Sequence, residues 1–182
     1  MRIIGGEWGG MRFKPPPEMP YTRPTTDLAK EGLFNVIQHQ LNIEDLKTLD
    51  LFGGTGSITY ELASRGATDL TVVEKDAAMY NFIRKTADTL KIPNLKLIRS
   101  DVFRFLQDCK DTYDFIFAGP PYALKNIDDL PRLVEQKQLL NVGGWFVLEH
   151  TPRNNYETWP MFAAMRNYGT TIFSFFVRRP VE

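Results

Sequence analysis

Hydrophobic residues recur along this chain with two different spacings. The clearest helical pattern places apolar side chains at i, i+4, i+7, i+8 and i+12, namely Ala29, Leu33, Val36, Ile37 and Leu41. This spacing predicts an amphipathic helix, with the polar residues Thr25, Thr26 and Asp27 as candidate N-caps. A second helical face is predicted for Tyr80, Ile83, Ala87 and Leu90.

Short apolar runs with the composition of buried strands lie between the helical segments. They are Thr48–Phe52, Leu70–Val73, Leu95–Ile98, Tyr113–Ala118 and Trp145–Leu148. Strands that alternate with helices are typical of a parallel, doubly wound sheet covered on both sides. A final run, Thr170–Arg179, reads as one long strand that we expect to be antiparallel, at or near an edge of the sheet.

The N-terminal residues have a different composition from the rest of the chain. Nine of the first 30 residues are glycine or proline. Two short β-like pieces, Arg2–Ile4 and Met11–Lys14, flank a Gly-Gly-Glu-Trp-Gly-Gly segment, which predicts a hairpin. The sequence is therefore divided into an N-terminal arm, residues 1–25, and one α/β domain, residues 26–182.

Composition and charge exclude several classes of protein. The 182 residues are 43% hydrophobic and 24% charged, and 22 basic residues balance 22 acidic ones, which excludes a highly basic nucleic-acid coat protein. The single cysteine, Cys109, excludes a disulfide scaffold and a Cys-x-x-Cys metal site, so no metal is expected. No apolar run reaches the length of a membrane span, and we expect a soluble, cytoplasmic protein without a membrane partner.

The end of the first predicted strand has the features of a ligand-binding turn. Asp50-Leu51-Phe52 leads into Gly53-Gly54-Thr55-Gly56, and in doubly wound sheets ligands bind beyond the carboxyl ends of the strands. Glu74 ends the second strand, 18 residues after Gly56, where a carboxylate suits the hydroxyls of a ribose. Asp101 follows the third strand, so it adds another acid to the same edge.

Three nucleotide ligands compete for this edge. A P-loop requires lysine after the last glycine, but Ser57 follows Gly56. A dinucleotide fingerprint is a near miss, because Thr59 stands at its third glycine position. Asp50 would repel a pyrophosphate and favour the ammonium group of S-adenosylmethionine, which makes a cationic ligand without phosphates the better interpretation. A tight turn with no ligand is the remaining alternative.

The fourth strand ends in Gly119-Pro120-Pro121-Tyr122. Two prolines stop the hydrogen-bond ladder and hold the following aromatic ring in a fixed direction. For the tetrapeptide alone, an ordinary turn is the better interpretation. Its position after the fourth strand of this sheet favours a functional role.

With these motifs, the chain resembles the bacterial 16S rRNA (guanine-N2)-methyltransferase family over nearly its whole length. Two N-terminal motifs are the most specific to that family, Arg2-Ile3-Ile4-Gly5-Gly6 and Arg23-Pro24-Thr25-Thr26-Asp27. The glycine loop and Pro-Pro-Tyr are shared by many amino-group methyltransferases. The other matching pieces are Ser64-Arg65-Gly66-Ala67, Val73-Glu74, Asp101 with Phe105-Leu106, and Gly143-Gly144 leading to Glu149-His150.

The resemblance implies a Rossmann-like enzyme that uses S-adenosylmethionine to methylate the exocyclic amine of a guanine in small-subunit ribosomal RNA, free or in an assembling subunit. It implies that Asp50, Phe52 and the glycines bind the amino-acid part of the cofactor, and that Arg23, Thr25 and Thr26 close over its carboxylate. Glu74 would accept hydrogen bonds from the ribose hydroxyls and Asp101 from the adenine amine, and Lys75 and Val102 are further implied cofactor-binding residues. The implied catalytic residues are Gly119, Pro120 and Tyr122, with Tyr122 stacked on a flipped-out guanine.

Basic and aromatic side chains of the arm are the predicted RNA contacts, namely Arg2, Trp8, Arg12 and Lys14. An arm that only packs over the cofactor site is the alternative. Arg178 and Arg179 are interpreted as a solvated chain end, with phosphate contacts beside the arm as the second option. His39 is expected to be solvated, His150 to be structural and Cys109 to be an inert thiol.

One position departs from the family pattern. The family has Asp or Asn before Pro-Pro-Tyr, and this chain has Gly119. A guanine amine is a poor nucleophile whose lone pair is localised by hydrogen-bond acceptors, and at this turn only backbone carbonyls remain. The alternatives are therefore a cofactor- and RNA-binding relative with weak or lost activity, or an amino methyltransferase that acts on DNA or protein.

Overall fold

A computed structural model describes residues 1–17 and 24–182 of the chain. The helices are α1 (Asp27–Gln40), α2 (Ser57–Ser64), α3 (Ala77–Leu90), α4 (Val102–Asp108) and α5 (Asp129–Gln136), with a 3-10 turn at Ile43–Asp45. The strands are β1 (Lys47–Leu51), β2 (Asp69–Val73), β3 (Lys96–Ile98), β4 (Tyr113–Ala118), β5 (Leu140–His150), β6 (Phe162–Tyr168) and β7 (Thr171–Val177). Among the helices within these ranges, none has the length and apolarity needed to cross a membrane.

The seven strands form one sheet in the order β3-β2-β1-β4-β5-β7-β6. Strands β1 to β5 are parallel to one another, and β7 is antiparallel to both of its neighbours. The chain first moves outward from β1 to β3 and then returns to place β4 on the other side of β1. This reversal creates a crevice at the carboxyl ends of β1 and β4, the position at which such sheets bind ligands. The predicted α/β, doubly wound, Rossmann-like fold is confirmed.

Helices cover both faces of the sheet because alternate strand residues point to opposite sides. On one face, Phe115 and Phe117 pack with apolar residues of α1 and α2. On the other, Ile116 and Ala118 pack with residues of α4 and α5. Asp50 lies between Leu49 and Leu51, both of which pack on the α4–α5 face, so the Asp50 side chain points to the α1–α2 face.

The C-terminal part of the sheet differs from the predicted arrangement in three ways. The predicted long strand Thr170–Arg179 is the shorter β7, Thr171–Val177, and it lies second from the edge. The edge itself is β6 (Phe162–Tyr168), which was not predicted. Five of its seven residues are polar, small or exposed, so the sequence shows no apolar run there. The strand predicted at Trp145–Leu148 is the longer β5, Leu140–His150.

The N-terminal residues fold as the predicted hairpin, in which Arg2 pairs with Arg12 in antiparallel fashion. Ile3 is fully buried and packs against residues of α2, β2 and α3. The backbone amides of Ile4 and Gly5 donate hydrogen bonds to the two carboxylate oxygens of Glu61, at 2.8 and 2.9 Å. The hairpin is therefore docked on α2 through a buried acid.

Glu61 is the centre of a buried ion cluster. Its carboxylate lies 3.3 Å from Nζ of Lys30 and 2.9 Å from Nε of Arg65, and the Glu61 and Lys30 side chains are 0% and 1% exposed. Burial alone would raise the pKa of Glu61, but the hydrogen bonds from Ile4, Gly5 and Arg65 and the charge of Lys30 bring it below its usual range. The cluster joins α1, α2 and the hairpin.

Candidate active site

The glycine loop after β1 is a tight turn that begins the next helix. Gly56 has φ +82°, in the left-handed region, and its carbonyl accepts the Tyr60 amide at 2.9 Å in the first turn of α2. Phe52 also has a positive φ, 60°, which is strained for a residue with a Cβ. Strained backbone of this kind is concentrated at ligand sites, and this turn lies at the crevice of the sheet.

Glu74, at the end of β2, holds the glycine loop in place. Its Oε1 accepts a hydrogen bond from the Gly54 amide and its Oε2 one from the Asp76 amide, both at 2.8 Å. Each carboxylate oxygen can accept more than one hydrogen bond, so the side chain can also accept bonds from a ligand hydroxyl. The residue predicted to serve the ribose therefore positions the loop as well.

Asp50 is a buried acid directly below the loop. Its Oδ2 accepts a hydrogen bond from Oγ1 of Thr59, at 2.7 Å. Burial raises the pKa of Asp50 to about 7; the Thr59 hydrogen bond opposes the rise and the charges of Glu74 and Glu149 add to it. A cation placed beside this carboxylate would reverse the shift.

A narrow cavity of about 30 Å³ lies between the glycine loop, the end of β4 and the end of β5. It has room for about one or two water-sized groups. Its lining residues include the acids Asp50 and Glu149, and among those lining residues that the structure describes none is basic. In residues 1–17 and 24–182, no three His, Cys, Asp or Glu side chains are grouped so that they could hold a metal ion.

The β4–β5 register brings together the ends of these two strands. Ala118 is paired with Leu148, so the next residues, Gly119 and Glu149, lie side by side. Glu149 is 3% exposed, and its Oε1 accepts a hydrogen bond from Oγ1 of Thr25, at 2.7 Å. Burial raises the pKa of Glu149 to about 7, and the Thr25 hydrogen bond opposes that rise.

The turn after β4 carries the other predicted catalytic residues. Pro120 is buried, and Tyr122 is half-buried. The Tyr122 hydroxyl lies 3.4 Å from Oγ1 of Thr171, the first residue of β7. The aromatic ring is thus anchored between the turn and the C-terminal strand.

The structure places the remaining predicted cofactor residues around the crevice. Thr26 is the N-cap of α1, where its hydroxyl accepts the Ala29 amide at 3.2 Å. Asp101 is exposed and caps α4 by accepting the Arg104 amide at 3.1 Å. Val102 is buried in the core and Lys75 is exposed beside Glu74. Arg23 lies outside the described residues.

The arm residues predicted to contact RNA are separated by the structure. Arg12 and Lys14 are exposed. Arg2 forms an ion pair with Asp27, with 3.1 Å between Nε and Oδ2. Trp8 is half-buried against the core, and its amide donates to Oγ of Ser64, the last residue of α2, at 2.9 Å. Only part of the predicted surface therefore presents free basic groups.

Arg178 and Arg179 do not lie beside the active-site crevice. β7 runs antiparallel to β5, so its end pairs with the middle of β5 and the following residues reach toward the start of that strand. The Arg178 guanidinium donates to the Leu140 carbonyl at 2.7 Å. The alternative in which these arginines contact phosphates beside the arm stays a prediction.

Comparison with known proteins identifies relatives over most of the chain. The sequence profile of the family described as Conserved hypothetical protein 95 matches residues 1–177. The chain belongs to this family. The family membership predicted from the motifs is thereby confirmed.

Similar proteins of this family include Ribosomal RNA small subunit methyltransferase D of Escherichia coli K12, which is 32% identical over 160 residues, 88% of this chain and 79% of the relative. The solved structure of yhhF from Escherichia coli has a TM-score of 0.86 at 28% identity and covers 98% of both chains. The T. thermophilus 16S rRNA N2 G1207 methyltransferase RsmC, solved with AdoMet and guanosine, has a TM-score of 0.66 at 25% identity, over 87% of this chain and 45% of that one.

Glu149 is a residue of the site that was not predicted from the sequence. An acid at the end of the strand next to β4 was the available signal, but the order of β4 and β5 was needed to use it. His150, expected to be structural, is buried, and its ring nitrogens lie 2.7 Å from Oγ of Ser174 and 2.8 Å from the Thr151 carbonyl. His39 is exposed and Cys109 is half-buried.

Proposed function

We propose that this protein transfers a methyl group from S-adenosylmethionine to the exocyclic N2 amine of a guanine in small-subunit ribosomal RNA. The observation that carries the proposal is the acidic cavity at the switch point of the sheet, which adjoins the Gly-Pro-Pro-Tyr turn. Further support comes from the family and from the names of its relatives, which include ribosomal RNA methyltransferases. Since ribosomal RNA is the substrate, we place the protein in the cytoplasm.

The residues of the crevice fit S-adenosylmethionine by their charge. The cofactor carries a sulfonium and an ammonium but no phosphate, and the cavity contains two carboxylates. Asp50 would pair with a positive group, and Glu74 would accept hydrogen bonds from ribose hydroxyls. Asp101, beyond β3, is available for the adenine amine. A nucleotide phosphate would instead meet Asp50 and Glu149 with like charge.

For this reaction the protein has to orient the guanine amine and to accept the proton that the amine loses. When bound, S-adenosylmethionine supplies an electrophilic methyl group. Tyr122 offers an aromatic face on which a base out of its stack can lie, and such stacking is worth about 1–3 kcal/mol per base. The carbonyls beside Pro120 offer hydrogen-bond acceptors to the amine. Together these groups orient the amine for in-line attack.

Methyl transfer to unmodified small-subunit ribosomal RNA tests the proposal. The purified protein is given labelled S-adenosylmethionine with free RNA or with assembled particles, and the digested RNA is separated by mass spectrometry. We expect the label in N2-methylguanosine. Label in a methylated adenine, in DNA or in protein would overturn the substrate assignment, and cofactor binding without transfer to any of them would overturn the activity.

The exposed basic residues of the arm are expected to contact RNA phosphates. Reversing both charges, in Arg12→Glu/Lys14→Glu, should weaken RNA binding and reduce the salt dependence of the association constant, because each phosphate contact releases counterions. Titration at several salt concentrations measures both quantities. The matched control is Arg178→Glu/Arg179→Glu, beyond the end of β7, which should bind RNA like the native protein. An arm variant with native affinity and slope would show that the hairpin is only structural.

A further inference from the structure

Gly119 leaves the reacting turn without a side chain, and a carboxylate from the neighbouring strand lies beside it. A Cβ built at Gly119 would be 3.6 Å from Oε2 of Glu149 and 3.1 Å from Cε1 of Phe117. Both residues line the acidic cavity together with Asp50. The carboxylate of Glu149 therefore lies where a short acidic side chain at position 119 would project.

The Glu149 carboxylate is held in a defined orientation. Thr25 donates to Oε1, and in the described part of the chain no group donates a hydrogen bond to Oε2. The acid is 3% exposed, and it lines the narrow cavity together with Gly119 and Asp50. Its second oxygen therefore has acceptor capacity for a ligand group that enters this cavity.

The position of Glu149 also separates it from Glu74, the acid assigned to the ribose. Glu74 follows β2, on one side of β1, whereas Glu149 ends β5, beyond β4 on the other side. The turn with Tyr122 starts between Glu149 and the glycine loop. Glu149 is thus on the side of the crevice from which the substrate base has to approach the methyl group.

We infer that Glu149 is a catalytic residue, and that its Oε2 accepts a hydrogen bond from the amine that becomes methylated, in place of an acid at position 119. This inference rests on the proposed function. Thr25 is a positioning residue, because it fixes the carboxylate through the other oxygen.

The proton and electron balance of the step is simple. The amine lone pair forms the new nitrogen–carbon bond while the methyl–sulfur bond breaks and its electron pair stays on sulfur. Glu149 takes the proton that the amine then loses, and it returns this proton to solvent after the product leaves. Before the step, the hydrogen bond to Oε2 localises the lone pair on the nitrogen.

The first test is Glu149→Gln, which keeps the size of the side chain but removes its charge and its ability to take a proton. We expect kcat to fall by about 100-fold, the usual scale for a lost acid–base or electrostatic group. The dissociation constant of S-adenosylmethionine, measured on the same variant, separates a loss of cofactor binding from a loss of kcat, and a native circular dichroism spectrum shows that the variant is folded. The matched control is Asp114→Asn at the start of β4, a carboxylate away from the crevice that accepts hydrogen bonds from the Lys47 amide and the Asn141 side chain; its kcat should remain native.

The second test removes the carboxylate at position 149 and introduces one at position 119. In the Glu149→Gln background, Gly119→Asp should raise kcat by about tenfold or more, because it returns a carboxylate to the same space. In the native background, Gly119→Asp should change kcat by less than about threefold, because two carboxylates so close together cannot both be ionised. Gly119→Ala controls for the added Cβ and for the loss of backbone freedom.

The outcomes separate this inference from the proposed function. Native activity in Glu149→Gln would overturn the role of Glu149 and leave the methyltransferase intact. A silent native protein that is activated by Gly119→Asp would also overturn the role of Glu149 while supporting the function. Absence of methyl transfer in both the native protein and Gly119→Asp, with cofactor binding retained, would overturn the proposed function and the inference with it.

Discussion

Glu61→Ala is expected to lower the free energy of unfolding by about 3–5 kcal/mol, the usual effect of removing one partner from a buried ion pair. The substitution leaves the ammonium group of Lys30 buried without its carboxylate, and it removes the acceptor of the Ile4 and Gly5 amides. In a chain of this length, such a loss lowers Tm by about 6–20 °C. Thermal and urea unfolding, followed by circular dichroism, measure both quantities.

An exposed ion pair provides the control for this prediction. Asp129 pairs with Arg132 on α5, where the side chains are 47% and 54% exposed. Asp129→Ala should therefore change the free energy of unfolding by less than about 1 kcal/mol. A Glu61→Ala variant with stability equal to that of Asp129→Ala would show that the hairpin is not docked through this acid.

The affinity for S-adenosylmethionine should decrease about tenfold between pH 8 and pH 6. Asp50 has a pKa of about 7 in the unliganded protein, raised mainly by burial, and a positively charged ligand binds its ionised form. Below pH 7 binding must displace a proton, so the apparent association constant falls with each further pH unit by about tenfold. Isothermal titration calorimetry across this range, in buffers of different ionisation enthalpy, gives both the affinity and the number of protons released.

Two variants test whether Asp50 is the group responsible for this pH dependence. Asp50→Asn should bind S-adenosylmethionine weakly and with a flat pH profile, whereas Glu149→Gln should keep the pH dependence with its midpoint moved to lower pH, because the charge of Glu149 adds to the raised pKa of Asp50. The free energy of unfolding of the unliganded protein should change with pH in the opposite direction to the cofactor affinity. Because the folded acids keep protons that the unfolded chain releases above about pH 4, their contribution to stability declines as the pH rises from about 4 to 7. An affinity for the cofactor that is independent of pH in the native protein would contradict the pairing of Asp50 with a cation.

Much of the sheet follows from the local hydrophobic pattern. The strand at Tyr113–Ala118 was predicted with its observed bounds, and those at β1 and β2 within one residue, because buried parallel strands are continuous apolar runs. β6 is an edge strand whose exposed residues, including Met165 and Arg166, interrupt any apolar alternation. β6 forms because it pairs with β7, and this pairing cannot be predicted from the local sequence.

For the candidate site as well, some residues could be predicted from the local sequence and others only from long-range contacts. Asp50, the glycine loop and Glu74 stand at strand ends that are visible in the sequence, and parallel strands bring such ends to one edge. The proximity of Glu149 to Gly119 depends on the register of β4 and β5 over 30 residues of sequence, and its contact with Thr25 spans 124 residues. The Lys30–Glu61 pair also depends on long-range contact, because its two residues are 31 positions apart and lie on different helices, α1 and α2.

The insertion of β7 between β5 and β6 has a consequence for the synthesis of the protein. Until Thr171–Val177 leaves the ribosome, the nascent chain presents β5 with one unpaired side, and the sheet cannot be completed. An uncovered apolar strand edge is a template for association with other chains. Premature termination shortly before residue 171 would therefore release an aggregation-prone product, because β5 would keep an unpaired side.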